Sequence, residues 1–195
     1  PNKQITTGEG GMIVTDDDKV AGLCESYRNQ GRGESGLWLT HERLGYNYRI
    51  DEMSAALGVA QMERIEEFRQ KRQQVAALYH KHLSGLAGIE TPHISNHVNM
   101  SWFVYVVRVD AQVNRDSVMH YLVQNGIGCR PYFTPIHLQP LYRHMFGYEP
   151  GDFPITEDLG HRSIALPFHN NLTEEEITYV TKTLESAVRR GIRGL

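Results

Sequence analysis

A turn rich in aromatic side chains runs directly into a long helical pattern at residues 45–72, GYNYRIDEMSAALGVAQMERIEEFRQKR. After Asp51, apolar residues recur at helical spacing with charged residues between them, and no proline interrupts the pattern before Pro92. The apolar stripe shifts between Ala60 and Ile65, which predicts a bend or a break there. The stretch therefore predicts a helix followed by a long linking helix.

The segments on either side of this region predict a mixed α/β chain. Residues 10–15, GGMIVT, predict a short strand, and residues 18–29 predict a helix that follows it. The run WFVYVVRV at 102–109 is almost continuously apolar, as expected of a strand covered on both faces. Near the C-terminus, Thr173 and Glu176 form a capping box in front of an apolar helix face. The second part of the chain therefore reads as a compact α/β unit.

Composition excludes several classes of protein. The chain has 195 residues, 40% of them hydrophobic and 22% charged, with a formal net charge of -3, which favours an ordinary globular protein without a nucleic-acid partner. No stretch approaches the roughly 20 apolar residues of a membrane span. Cys24 and Cys129 are too few for a disulfide framework and favour a cytoplasmic location. The histidines lack partners at metal-ligand spacing, so no metal is expected.

Two short motifs in the first part of the chain have the residue types needed to hold a cofactor. Lys3 precedes a glycine-rich turn, and a lysine held against close backbone forms a Schiff base once its amine is desolvated. Asn47 and Arg49 stand at a helix entrance, where side-chain donors and free backbone N–H groups favour a phosphate. The alternatives are a plain surface hairpin for Lys3, and a turn-forming Asn47 with an Arg49 that pairs with a carboxylate.

A third motif, RPYFTPIHLQPLY at residues 130–142, contains three prolines. Prolines force an extended and rigid path, and rigid loops are good mounts for side chains such as Tyr132 and His137. The alternative is a simple connection between a strand and a helix. Residue chemistry alone leaves both readings open.

In chain order, the sequence resembles the DegT-type sugar aminotransferases, which are pyridoxal-phosphate enzymes of the aspartate aminotransferase fold. The matching stretches are NKQITTGEGGMIVTDD, RNQGR, the 45–72 block, PIHLQPLY and IALPFHNNLTEEEI. The resemblance implies that residues 1–68 are the end of a pyridoxal-phosphate-binding large domain. Residues 69–195 would then be the linking helix and the complete small C-terminal domain. The earlier part of the large domain, which carries other cofactor contacts in this family, has no counterpart here, so the 195 residues alone are expected to be inactive.

The resemblance also implies roles for individual residues. Lys3 matches the lysine that binds the cofactor covalently, and its presence favours the transaminase branch over relatives with a histidine at that position. Asn47 matches an asparagine that reaches across a dimer interface to the cofactor phosphate of the partner subunit. Tyr132 and His137 fall in the segment that lies near the substrate, which makes them candidate substrate-binding residues.

The function implied is a cytoplasmic homodimer that converts a nucleotide-linked keto sugar into an amino sugar, with glutamate as the amino donor and the active site at the interface. Two alternatives remain. One is a non-catalytic binding or assembly module that retains this half of the fold. The other is a family member that acts on a keto substrate without a nucleotide, in antibiotic biosynthesis.

Overall fold

The structure, a computed structural model, describes residues 3–33 and 40–192. The chain divides between Ile65 and Glu66 into two compact units, which we call the N-terminal unit and the C-terminal unit. The sequence predicted a division at 68/69, and both positions lie near the start of the same helix. That the first unit belongs to a cofactor-binding large domain stays a prediction.

The described residues of the N-terminal unit form two helices, α1 (Asp18–Arg28) and α2 (Glu52–Met62). Each begins at an aspartate whose carboxylate accepts hydrogen bonds from free backbone N–H groups of the first turn. Asp17 caps α1, and Asp51 caps α2 by accepting from the N–H of Ser54 at 2.9 Å. Short polar side chains ahead of an apolar pattern thus set both starts.

Residues 44–50, LGYNYRI, which we call the aromatic loop, pair with the chain that leaves α1. The N–H of Gln30 donates to the carbonyl of Tyr46 at 2.7 Å, and the N–H of Tyr46 donates to the carbonyl of Tyr27 at 2.7 Å. The N–H of Tyr48 donates to the carbonyl of Arg28 at 2.9 Å. The aromatic loop is therefore held by backbone hydrogen bonds.

Gly31 allows the segment that leaves α1 to approach the segment around Arg43 closely, just before the aromatic loop. Its φ is +73°, and a Cβ atom built on it would lie 1.8 Å from the carbonyl oxygen of Arg43. Ser26, which is buried, donates to the carbonyl of Arg32 at 2.6 Å and accepts from the Arg43 guanidinium. A side chain at position 31 would displace the backbone of Arg43, so only glycine fits there.

The strand predicted at 10–15 is not formed. Met12, Ile13 and Val14 are 87%, 70% and 85% exposed, and no strand pairs with them among the described residues. A strand is stable only when a neighbour satisfies its backbone N–H and C=O groups. The N-terminal unit also has no buried hydrophobic side chain in its described residues.

The C-terminal unit is an antiparallel sheet with helices packed against it. Its helices are α3 (Ile65–Leu83), α4 (Arg115–Gln124), α5 (Pro140–Phe146), α6 (Pro154–Arg162) and α7 (Glu174–Ile192). Its strands are β1 (Ile89–Glu90), β2 (Tyr105–Val109), β3 (Arg130–Pro131) and β4 (Ser163–Leu166). The strand order is β1-β2-β4-β3, with Val107 opposite Ile164. The break between α2 and α3 confirms the one predicted from the shifted apolar stripe.

The core of the C-terminal unit lies between this sheet and its helices. All four residues of β4 are buried, and β2 buries alternate residues towards the helices. The fully buried side chains come from α3, β2, α4, β4 and α7: Tyr79, Leu83, Tyr105, Val107, Val109, Val118, Leu122, Ile164, Ile177, Leu184 and Val188. Each contributes about 1.5–3 kcal/mol relative to an exposed position. Among the residues described, no helix is long and apolar enough to cross a lipid bilayer.

Candidate active site

Lys3 lies at the head of a turn that is tied to α2. The Lys3 side chain is exposed, and three residues later the N–H of Thr6 donates to Oε1 of Gln61 on α2 at 3.3 Å. The hydroxyl of Thr7 donates to the carbonyl of Glu9 at 2.9 Å and closes the turn. The primary amine of Lys3 is thus presented at the surface of the N-terminal unit by a hydrogen-bonded turn.

Asn47 lies in the aromatic loop with its carboxamide exposed. Its backbone bridges to Asn29, while the rings of Tyr46 and Tyr48 stack at 4.9 Å between centroids. Because side chains alternate along an extended chain, Asn47 projects to the side opposite the two tyrosines. Arg49 is exposed as well, and its guanidinium donates to Oδ1 of Asn29 at 2.8 Å. Two side-chain donors therefore face solvent at the entrance to α2.

Tyr132 follows β3 and is half-buried. The centroid of its ring lies 3.8 Å from the ring centroid of Phe133, a residue that is 62% exposed. The next residues run against α6 at Gly160, where an added Cβ would lie 2.7 Å from the carbonyl oxygen of Phe133 and 2.9 Å from Cδ of Pro135. The segment that carries Tyr132 therefore packs against α6.

His137 lies in a 3-10 turn, Ile136–Leu138, and its side chain is only 8% exposed. Its Nε2 is 2.9 Å from Oε1 of Glu157, a carboxylate that also accepts the N–H of Gly151 at 2.9 Å. The bond from His137 and the N–H of Gly151 lower the pKa of Glu157. The substrate-binding role of His137 stays a prediction, and its ring is engaged with a carboxylate.

Sequence reasoning missed Glu157. The signal that could have found it is its place three residues after Pro154, in the first turn of a helix. There a carboxylate accepts from free N–H groups and complements the helix dipole. Glu157 does this at the start of α6 and bonds His137 with the same oxygen.

The four predicted site residues fall into two pairs. Lys3 and Asn47 lie in the N-terminal unit, and Tyr132 and His137 lie in the C-terminal unit. Over the described residues, no group of three or more His, Cys, Asp and Glu side chains is placed to bind a metal ion.

A model of the DegT/DnrJ/EryC1/StrS aminotransferase family matches residues 1–185. Because the match extends over nearly the whole chain, this protein belongs to that family, and the resemblance stated from its motifs is confirmed. The enzymes of this family use pyridoxal phosphate.

Individual relatives agree with this assignment. GDP-perosamine synthase of Caulobacter vibrioides is 36% identical over 191 residues, covering 96% of this chain and 50% of the relative. The solved structure of Helicobacter pylori PseC, an aminotransferase involved in the biosynthesis of pseudoaminic acid, superposes with a TM-score of 0.89 at 25% identity, over 96% of this chain and 51% of PseC. DesI, solved in the presence of its TDP-sugar product, gives a TM-score of 0.83 at 28% identity, over 98% of this chain and 48% of DesI.

The chain thus spans about half the length of the relatives it matches. The likeness confirms the predicted fold class, because this α/β chain matches part of the fold of pyridoxal-phosphate-dependent sugar aminotransferases.

The side chains of the N-terminal unit fit pyridoxal phosphate chemically. Lys3, an exposed residue, carries a primary amine, the group that condenses with an aldehyde. An exposed carboxamide, that of Asn47, and the nearby guanidinium of Arg49 are groups that donate to phosphate oxygens. Lys3 would hold the cofactor covalently, and Asn47 would hold the phosphate.

Proposed function

We propose that the protein of which this chain forms part is a pyridoxal-phosphate-dependent aminotransferase that converts a nucleotide-linked keto sugar into an amino sugar. Family membership over residues 1–185 supports the reaction class. The structural observation that carries the proposal is the place of Lys3, an exposed residue on a turn anchored to α2 through Thr6. The names of two relatives, GDP-perosamine synthase and DesI with its TDP-sugar product, support a nucleotide-linked substrate.

In this proposal Lys3 acts through a single atom. Its Nζ would hold the cofactor covalently, and the freed amine would move a proton off the α-carbon of the amino donor in the first half-reaction and a proton onto the former carbonyl carbon of the sugar in the second. Bound pyridoxal phosphate supplies an electron sink that stabilises the deprotonated carbon. Asn47 would orient the phosphate through its carboxamide N–H, and a hydrogen bond of this kind to a charged group is worth about 1.5–3 kcal/mol.

We further propose glutamate as the amino donor and a homodimer in which Asn47 serves the site of the partner subunit. The resemblance to the family motivates both. The exposure of Asn47 and of the apolar residues Met12, Val14 and Met53 supports the dimer, because apolar surface without a cover favours association. With both cysteines free, we place the enzyme in the cytoplasm.

Borohydride reduction of the full-length protein with pyridoxal phosphate tests the role of Lys3. We expect a cofactor adduct on the peptide that contains Lys3, located by mass spectrometry, and loss of that adduct in Lys3→Arg. Lys19→Arg, a change at an exposed lysine on α1, is the matched control and should keep the adduct. An adduct on another lysine, or none at all, would contradict the proposal.

The substrate class needs a separate measurement. The full-length protein should transfer the amino group of glutamate to a nucleoside-diphosphate keto sugar, with the amino sugar detected by mass spectrometry. The same keto sugar without its nucleotide should react much more slowly. Equal or faster reaction of the free keto sugar would contradict the nucleotide assignment and leave the aminotransferase class intact.

A further inference from the structure

Four hydrogen bonds converge on the carboxylate of Glu157. Its Oε1 accepts from His137 at 2.9 Å, and the N–H of Gly151 donates to Oε1 at 2.9 Å and to Oε2 at 3.0 Å. The N–H of Phe153 donates to Oε1 at 3.3 Å. The Glu157 side chain is 14% exposed, so water competes little for these bonds. A single carboxylate therefore joins the start of α6 to a residue twenty positions earlier in the chain.

His137 is enclosed as well as hydrogen-bonded. Its ring meets Phe153 at 4.7 Å and Tyr148 at 6.2 Å, both in edge-to-face geometry. These contacts, together with the bond to Glu157, hold the His137 ring within its own 3-10 turn.

The face of α6 that carries Glu157 also contacts Phe133 and Pro135, through Gly160. Gly160 lies three residues after Glu157, so the two share one face of the helix. The backbone of Phe133 and the ring of Pro135 approach Gly160 closely, and a Cβ atom there would lie 2.7 Å from the Phe133 oxygen. Residues 132–137 are thus held against α6 near both ends.

We propose that Glu157 is a positioning residue: through His137 it fixes residues 132–137, and with them Tyr132, in the conformation that receives the keto sugar. The inference rests on the proposed function for the keto sugar, and on the family resemblance for the expectation that this segment lies near the substrate. The contacts that hold the segment all lie within the C-terminal unit.

The full-length protein tests this through Glu157→Gln and His137→Gln. A glutamine at 157 keeps one acceptor oxygen for Gly151, so α6 keeps its start while the bond to His137 loses its charge and is weakened. Glu176→Gln is the matched control, since Glu176 accepts from Thr173 at the start of α7 and does not bond a histidine. We expect the KM for the keto sugar to rise about ten- to a hundredfold in both variants, with the glutamate half-reaction and the control unchanged.

The double variant separates positioning from direct contact. If Glu157 acts through His137, the double variant is no worse than either single one. A raised KM in His137→Gln with an unchanged KM in Glu157→Gln would mean that His137 contacts the sugar itself, and would overturn the proposal. A fall in the yield of folded protein with unchanged KM would also overturn it.

Hydrogen exchange supplies a readout that does not depend on activity. The N–H groups of Leu138 and Gln139 donate to the carbonyls of Pro135 and Ile136 in the 3-10 turn, at 3.1 and 3.0 Å, and should exchange faster in Glu157→Gln than in the wild type and in Glu176→Gln. Unchanged exchange would refute the proposal whatever the enzyme does. A wild-type protein that shows no glutamate half-reaction would instead refute the proposed function, and the exchange result would still decide the role of Glu157.

Discussion

Tyr79 and Tyr105 place two buried hydroxyl groups in one aromatic stack, with ring centroids 5.0 Å apart. The hydroxyl of Tyr79 donates to the carbonyl of Pro167 at 2.8 Å. The hydroxyl of Tyr105 has no hydrogen-bond partner among the described residues. Burial raises the pKa of both hydroxyls, so both stay protonated at neutral pH. The two tyrosines therefore differ mainly in whether the hydroxyl group is paired.

This difference predicts opposite effects of the same substitution. Tyr79→Phe should lower the free energy of unfolding by about 1–2 kcal/mol, because the Pro167 carbonyl loses its donor. Tyr105→Phe should be neutral or stabilising, because it removes an unpaired polar group. Urea unfolding followed by the fluorescence of Trp102, whose ring lies 5.4 Å from that of Tyr105, measures both. Equal losses in the two variants would contradict the hydrogen-bond assignment.

A second prediction for a single residue follows from the pKa of Glu157. It lies below the ordinary value of 4.5 because His137 and the N–H groups of Gly151 and Phe153 bond the charged form. A lowered folded-state pKa contributes stability that is present above the unfolded value and is lost as the pH falls through the folded one. We therefore expect the start of α6 to loosen below about pH 4.

Carbon-13 titration of the side-chain carboxylates measures this directly. In His137→Gln the pKa of Glu157 should rise but stay below its ordinary value, because the backbone donors remain. The pKa of Asp158 is lowered mainly by Arg162 and should not respond, which makes it the internal control. An unchanged pKa of Glu157 in this variant would show that His137 does not bond its charged form.

At the scale of elements, α7 shows how local rules set a helix. The N–H of Thr173 donates to Glu176 at 2.9 Å, and the N–H of Glu176 donates to the Thr173 hydroxyl at 3.2 Å, as the capping box predicted. Ile177 and Leu184 on the predicted apolar face are 0% exposed. Both features involve residues within a few positions of each other, which is why the sequence reveals them.

Gly31 supplies a prediction about the aromatic loop. Gly31→Ala should open the backbone pairing of the aromatic loop, because a Cβ atom there would lie 1.8 Å from the Arg43 oxygen. The amides of Tyr46 and Tyr48 should then exchange faster. Gly8→Ala is the matched control, since Gly8 has a φ of +83° but nothing within 4 Å of an added Cβ. It should cost about 1–2 kcal/mol of backbone strain and leave those amides protected.

The failed prediction of a strand at 10–15 belongs to the same scale. The β-branched, apolar run suits a strand, but a strand also requires a partner, and that requirement is not local. Among the described residues Val14 remains 85% exposed without a pairing neighbour. Propensity alone therefore does not determine the outcome.

At the scale of the molecule, the two units bury their apolar residues very differently. The C-terminal unit encloses a continuous core from Val75 to Val188, whereas large apolar side chains such as Leu44, Met53 and Met62 of the N-terminal unit are 82%, 84% and 55% exposed. Apolar surface on this scale is stable when another chain or segment covers it. Either a partner subunit or a further segment of the full-length protein would supply such a cover.

Subunit mixing tests the proposed dimer. If Lys3 of one subunit works with Asn47 of the partner, full-length Lys3→Ala and Asn47→Asp should each be nearly inactive. Mixed after subunit exchange, they should recover roughly a quarter of the wild-type activity, because half of the dimers are mixed and each carries one intact site. Mixing Lys3→Ala with Lys3→Arg is the control and should recover none. No recovery in the first mixture would place both residues in the same subunit's site.

The sequence alone was sufficient for the family, for the helices of the linking region and for the capped C-terminal helix. Each of these depends on residue types at short, regular spacing or on motifs in a set order. The tertiary structure was needed for contacts between distant residues: the Tyr79 bond to Pro167, the clamp of His137 by Glu157 and the close approach at Gly31. Such contacts arise when packing brings remote segments together, and no local pattern in the chain encodes which partners will meet.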